Sequence, residues 1–168
     1  MTCITEILKL KGDKDILTLT TNPQNSESAV EGGGHYKNYE YLITLNVLGH
    51  RCGYVAVLPQ HKANENLEDL DLHCHGGITF KGNDLWAKKL LSVPCSDNWI
   101  GFDCGHYVDM PDYEALKKYF PLCKFLEERE RAYRFCWGID GVSTIKNYDY
   151  VKQQCKGLID QLIEMEAV

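Results

Sequence analysis

Residues 39–59 read YEYLITLNVLGHRCGYVAVLP. Tyr39 to Val47 sets aromatic and β-branched residues in alternation, the pattern of a strand with a buried face. Leu48-Gly49-His50-Arg51 reads as a turn, and Cys52 to Leu58 as a second strand. Pro59 ends that strand because it removes a ladder donor. Two strands joined by so short a turn pair as an antiparallel hairpin, so an antiparallel sheet is the natural centre of this fold.

Beyond the hairpin, Trp99 to Cys104 (WIGFDC) reads as a further strand, and Leu70 to Phe80 as two extended pieces broken at Gly76-Gly77. Asn83 to Leu91 suggests a short helix. After Pro111 the period becomes helical: Asp112 to Tyr119, an interruption at Pro121, then Leu122 to Phe135. The last segment is the clearest helix. Val151, Cys155, Leu158, Ile159, Leu162 and Ile163 form one apolar stripe, with Asn147 or Asp149 to cap its start. Gly157 weakens that helix by about 1 kcal/mol relative to Ala. Residues 1–20 hold two short apolar runs. Residues 21–38 (TNPQNSESAVEGGGHYKN) are polar and carry Gly32 to Gly34, which predicts a flexible Gly-rich loop, able to cover a ligand. No repeat or domain boundary is visible. The expectation is a single α+β domain over residues 1–168: a central, mostly antiparallel sheet with C-terminal helices.

A chain of 168 residues with 44% hydrophobic and 25% charged residues is ordinary globular material, which argues against disordered, collagen-like and coiled-coil classes. No apolar run approaches the roughly 18 residues of a membrane span. The first residues lack the features of a signal peptide, so the chain reads as cytoplasmic. Eighteen Lys+Arg against 24 Asp+Glu give a net charge of −6, which excludes the basic footprint of a duplex nucleic-acid binder. A small phosphorylated ligand would need only two or three cations. Homo-oligomer formation is compatible with this composition. Eight cysteines are present without a CxxC pair, and in a cytoplasmic setting they read as reduced, structural thiols. Cys104 as a nucleophile lacks an evident helix N-terminus to lower its pKa.

Polar residues with ligand character concentrate in three places: Pro59-Gln60-His61, Asp71 to Gly77 (DLHCHGG), and Gly101 to Asp109 (GFDCGHYVD). Strand ends that bring imidazole and carboxylate together can hold a divalent transition metal: zinc first, with Mn, Fe or Ni as alternatives. An open position on such a metal activates water for hydrolysis. The expected metal ligands are His61, His75, Asp103 and His106, with Asp109 as general base or partner of a ligating His and His106 sharing the catalytic role. Plain structural readings stand beside these. Asp103 could satisfy backbone donors in the Gly105 turn, His106 could be a hydrogen-bonded core residue, and Gly76-Gly77 could be a bend.

Gly53-Tyr54-Val55-Ala56-Val57 with Pro59 and His61, then His75-Gly76-Gly77-Ile78-Thr79-Phe80, then Trp99 to His106 with Asp109, and finally Tyr150 through Cys155 to Leu162 form an ordered series. The series resembles a family of small, mostly uncharacterised bacteriophage and bacterial proteins with HGG[IL]TF and GFDCxHxxD blocks. The resemblance covers residues 40–163 and matches at His61, His75, Asp103, Cys104, His106 and Asp109. It does not extend to His73. Val108 stands where glycine is frequent in similar proteins, and the first 38 residues have no counterpart. The resemblance implies a phage counter-defence setting, in the host cytoplasm, where small nucleotides carry immune signals. Three functions follow: a metal-dependent hydrolase of a small nucleotide or phosphorylated signal, a protein that binds and sequesters that signal, or a protein-interaction inhibitor of a host defence protein. Clustered polar residues at strand ends favour the first two over the third, and by a thin margin the first is taken as the expectation.

Overall fold

The computed structural model describes residues 28–83, 85, 98–121, 126–137 and 143–167. Five strands form one antiparallel sheet in the order β1-β2-β3-β5-β4: β1 (Ser28–Tyr36), β2 (Tyr39–Asn46), β3 (Arg51–Ala56), β4 (Phe80–Gly82) and β5 (Trp99–Asp103). A short parallel pair joins β6 (Asp109–Met110) to β7 (Thr144–Ile145). The described helices are α1 (Tyr113–Tyr119), α2 (Leu126–Trp137) and α3 (Tyr148–Glu166). This is the α+β architecture that the hairpin and the terminal stripe predict. No helix among the described residues is long and apolar enough to cross a membrane.

The hairpin forms as its alternation requires, with Tyr41 opposite Val55 and Ile43 opposite Gly53. Its turn is clamped by one side chain: Asn46 Oδ1 accepts from the backbone N–H groups of Leu48 and His50, both at 3.0 Å. The α3 stripe also forms. Val151, Cys155, Leu158, Ile159 and Leu162 are fully buried against Tyr41, Ile43, Val55, Ile100 and Phe102. Asn147 caps the helix by accepting from Tyr150 N–H. The helix comes very close to the sheet at Gly53, where a β-carbon would stand 2.6 Å from the Phe102 ring and 2.7 Å from Cys155 Sγ. A second cluster, Ala29 and Leu45 with Tyr113, Leu116, Tyr119 and Leu126, fixes α1 and α2 to the β1–β2 end.

The structure differs from the sequence reading at the glycine run. Ser28–Tyr36 is a strand paired along β2, and Lys37-Asn38, both left-handed, close a tight hairpin. Glycine here serves packing, because a β-carbon at Gly32 would meet Tyr148 Oη at 2.7 Å and one at Gly34 would meet Tyr41 Oη at 2.8 Å. Two tyrosines lie where side chains of β1 would otherwise stand. Residues 21–27 and the runs within 1–20 lie outside the described residues, as does the expected 83–91 helix apart from Asn83 and Leu85.

The β1–β2 register slips between Val30 and Gly32, so Glu31 is the extra residue of a bulge. The bulge aims its carboxylate at Arg51 on β3. Arg51 donates to both oxygens of Glu31 at 2.6 and 3.1 Å, to Asp112 Oδ2 at 2.8 Å and to the Lys146 carbonyl at 3.2 Å. Arg51 and Glu31 side chains are only 6% and 5% exposed. One guanidinium therefore ties the sheet to the start of α1 and to the segment leading into α3.

Candidate metal centre

Two loops and α3 build the centre. The first loop, residues 71–79, lies along α3 and is held by two glutamines on one helix face. Gln161 accepts from His73 N–H at 2.7 Å and donates to His73 carbonyl at 2.8 Å, while Gln154 accepts from His75 N–H at 2.9 Å. Gly76 and Gly77 then turn the chain with φ of +68° and +85°. Gly76 also admits the neighbouring loop, since a β-carbon there would collide with the His106 ring. The HGG block thus turns the chain and makes room for the second histidine.

The second loop follows β5. Asp109 N–H donates to His106 carbonyl at 2.9 Å and His106 N–H donates to Asp109 Oδ2 at 3.0 Å, a tight closure that places both side chains together. The Asp109 side chain is fully buried. Its Oδ2 also lies 2.7 Å from His75 Nε2 and 3.2 Å from His106 Nδ1. Oδ1 is buried without a hydrogen bond, and Lys146 Nζ lies 3.5 Å from it. Burial alone would push this carboxyl up, but hydrogen bonds from His75 and the His106 backbone, with the charge on His75, outweigh it. Asp109 is held below the ordinary carboxylate range.

His75 is fixed at both ends. Its Nε2–H donates to the ionised Asp109, and its Nδ1 is hydrogen-bonded to the Tyr150 hydroxyl at 2.9 Å. Burial, with Cys104 and Asp109 nearby, pushes the Tyr150 hydroxyl up, so it keeps its proton. Lys146 lies over the Tyr150 ring at 5.4 Å, and Tyr133 Oη donates to the Asp109 carbonyl at 3.1 Å. The His106 side chain is 38% exposed, which leaves one side of the cluster open.

One ligand atom each from His75, His106 and Asp109 lies within 4.8 Å of the others, so this group could hold a metal ion. Imidazole and carboxylate are ordinary metal ligands, and Asp109 Oδ1, with Lys146 Nζ 3.5 Å away but no hydrogen bond, has lone pairs to offer. The Tyr150 hydroxyl is the kind of outer partner that orients a ligating histidine. His61 and Asp103, expected as ligands, are not brought to this group. His61 caps the 3₁₀ turn Lys62–Asn66: Nδ1 accepts from Ala63 N–H at 3.0 Å, and Nε2–H donates to the Leu162 carbonyl at 2.9 Å. With its side chain fully buried and both nitrogens engaged, it is a structural histidine. Asp103 Oδ1 accepts from Gly105 N–H at 3.0 Å, as a turn residue does. Asp109, expected as base or partner, instead stands at the middle of the cluster beside His106. Tyr150, Lys146 and Gln154 had no assigned role in the sequence. Tyr150 opens the last block of the ordered series, and Tyr150, Gln154 and Gln161 form a polar line beside the apolar stripe of α3; Lys146, before that helix, carries no such mark.

No family model, curated protein or solved structure matches this chain. The chemistry of the centre therefore rests on its own geometry.

The five described cysteines are free thiols. Burial pushes Cys104 up to about 12, helped by the charge of Asp109, and pushes Cys52 and Cys74 up to about 11. At pH 8 their thiolate fractions are on the order of one in a thousand or less. Iodoacetamide at that pH is expected to leave Cys52, Cys74, Cys104 and Cys155 of the native protein unmodified while it labels exposed Cys136. Peptide mapping reads each site, and rapid labelling of Cys104 would overturn this assignment.

Proposed function

We propose that this chain is a metal-dependent hydrolase of a small phosphorylated compound, with zinc the first metal to test. The observation that supports this most is the convergence of His75, His106 and Asp109 on one spot with a partly open side. His75 Nε2, His106 Nδ1 and a carboxylate oxygen of Asp109 would hold the ion. A metal bound there supplies a water that ionises near neutral pH. Tyr150 holds the His75 ring in place. Lys146 offers a positive charge to a phosphate oxygen next to the centre. His106 turns its outer ring edge to solvent, on the side from which a substrate would approach. The resemblance to phage-encoded proteins supports a nucleotide immune signal as the substrate, and the host cytoplasm as the place of action.

A second reading, capture of the signal without turnover, is favoured by one distance. Two ligands of a tetrahedral zinc stand about 3.3 Å apart, given bonds of about 2.0–2.1 Å. His75 Nε2 and Asp109 Oδ2 at 2.7 Å are spaced as a hydrogen bond and must part to admit an ion.

Metal content decides between them. Tag-free protein purified without chelator is expected to carry about one transition-metal ion per chain by ICP-MS, and His106→Ala to carry almost none. The metal-bearing protein is then expected to hydrolyse bis(p-nitrophenyl) phosphate. No metal in the parent, even after reconstitution, would overturn the hydrolase.

A further inference from the structure

A groove lies beside the centre, on the side of Asp109 where Tyr133 grips its carbonyl. Leu48, Pro111, Tyr113, Arg129, Ala132 and Tyr133 line a cavity of about 400 Å³, within the range of small-molecule sites. Arg129, Ala132 and Tyr133 share one face of α2, spaced at i, i+3 and i+4. Tyr113 and Tyr133 stand edge to face with ring centroids 6.5 Å apart, giving the groove an aromatic wall.

Arg129 has no ion-pair partner among the described residues, and the adjacent Glu130 is already taken by Lys117 at 3.1 Å and Arg134 at 2.9 Å. His50 also lines the groove, but burial pushes its imidazole down and keeps it neutral. A guanidinium in an otherwise apolar recess, on a chain of net charge −6, marks a place for an organic anion rather than for the protein's own acids.

We propose that the groove binds an aromatic phosphate monoester of mononucleotide size, its flat ring against Tyr113, Tyr133 and Pro111 and its phosphate on Arg129. The groove reaches the centre through two residues: the Tyr133 hydroxyl holds the Asp109 carbonyl at 3.1 Å, and Pro111 is two residues beyond Asp109. As a substrate subsite the groove rests on the hydrolase reading; as a binding site it needs no metal.

The test is calorimetric titration of the full chain in EDTA with AMP, adenosine and inorganic phosphate, on the parent and on Arg129→Gln, Ala132→Trp and Glu128→Gln. AMP is expected to bind saturably and at least about tenfold tighter than either fragment, as a charged hydrogen bond and ring burial together require. Arg129→Gln is expected to weaken AMP by about tenfold or more. Ala132→Trp, which fills the groove from an exposed helix position, is expected to abolish binding, and Glu128→Gln to leave it unchanged. No saturable AMP binding overturns the proposal. So does AMP binding that either fragment equals, or that Arg129→Gln and Ala132→Trp leave intact. Metal content is measured on the same preparations. AMP binding to a chain that never takes up metal leaves the groove standing and removes the hydrolase, and a metal-bearing chain blind to AMP does the reverse.

Discussion

Replacing Arg51 with methionine is expected to lower the unfolding free energy by about 3–5 kcal/mol, the usual result of removing one partner from a buried ion pair. Glu31 would be left 5% exposed with no cation, after losing a two-pronged interaction whose shorter bond is 2.6 Å. Asp112, which also caps α1 by accepting from Ala115 N–H, and the Lys146 carbonyl would lose their donor as well. Arg51→Lys is expected to recover little, because an ammonium cannot serve two carboxylates and a carbonyl in this fork geometry. Urea unfolding of both variants measures the cost. The double replacement Arg51→Met with Glu31→Leu should regain part of it, since the stranded charge goes too. A loss below about 1 kcal/mol for Arg51→Met would mean that the network contributes no more than a surface pair.

The second large effect is on metal affinity. Asp109→Asn keeps the shape of the side chain and can still accept from the His106 backbone, but it removes the negative charge at the middle of the cluster. Affinity for zinc or cobalt, measured by chelator competition, is expected to fall by more than the roughly 10–100-fold typical of losing an outer partner. Tyr150→Phe supplies that comparison directly. It deletes only the hydroxyl 2.9 Å from His75 Nδ1, so affinity should fall within that range while metal-free stability stays close to the parent. If Asp109→Asn binds metal as well as the parent does, the three-residue group is not a metal centre. The His75–Asp109 contact would then be a hydrogen bond and nothing more.

Much of the architecture is visible in the residues themselves. The hairpin of 39–58 alternates cleanly and α3 carries an unbroken apolar stripe, so in both the local pattern and the tertiary burial agree. Gly32 to Gly34 misled because three glycines in a polar stretch carry a loop signal, whereas the reason for two of them is the approach of Tyr148 and Tyr41 from elsewhere in the chain. The candidate site shows the same division. His75, His106 and Asp109 all fall within the blocks that the sequence marks as ligand-rich. Which histidines meet was hidden, because the fate of His61 is set by the Leu162 carbonyl, 101 residues away. Asp109 read as a helper because a carboxylate in a loop has no local mark of full burial. Lys146 and Tyr150 gained their roles only when the start of α3 was placed against two loops.

The grip of α3 on the first loop has a temporal side. Tyr150, Gln154 and Gln161 reach back 75, 79 and 88 residues to hold His75 and His73. Contacts of such span close late, because the chain entropy they cost is offset only once the intervening sheet exists. On a ribosome His75, His106 and Asp109 would all emerge before the helix that positions the first of them. A metal ion held there would therefore enter as a closing step of folding: the nascent chain carries the three side chains without yet owning a site.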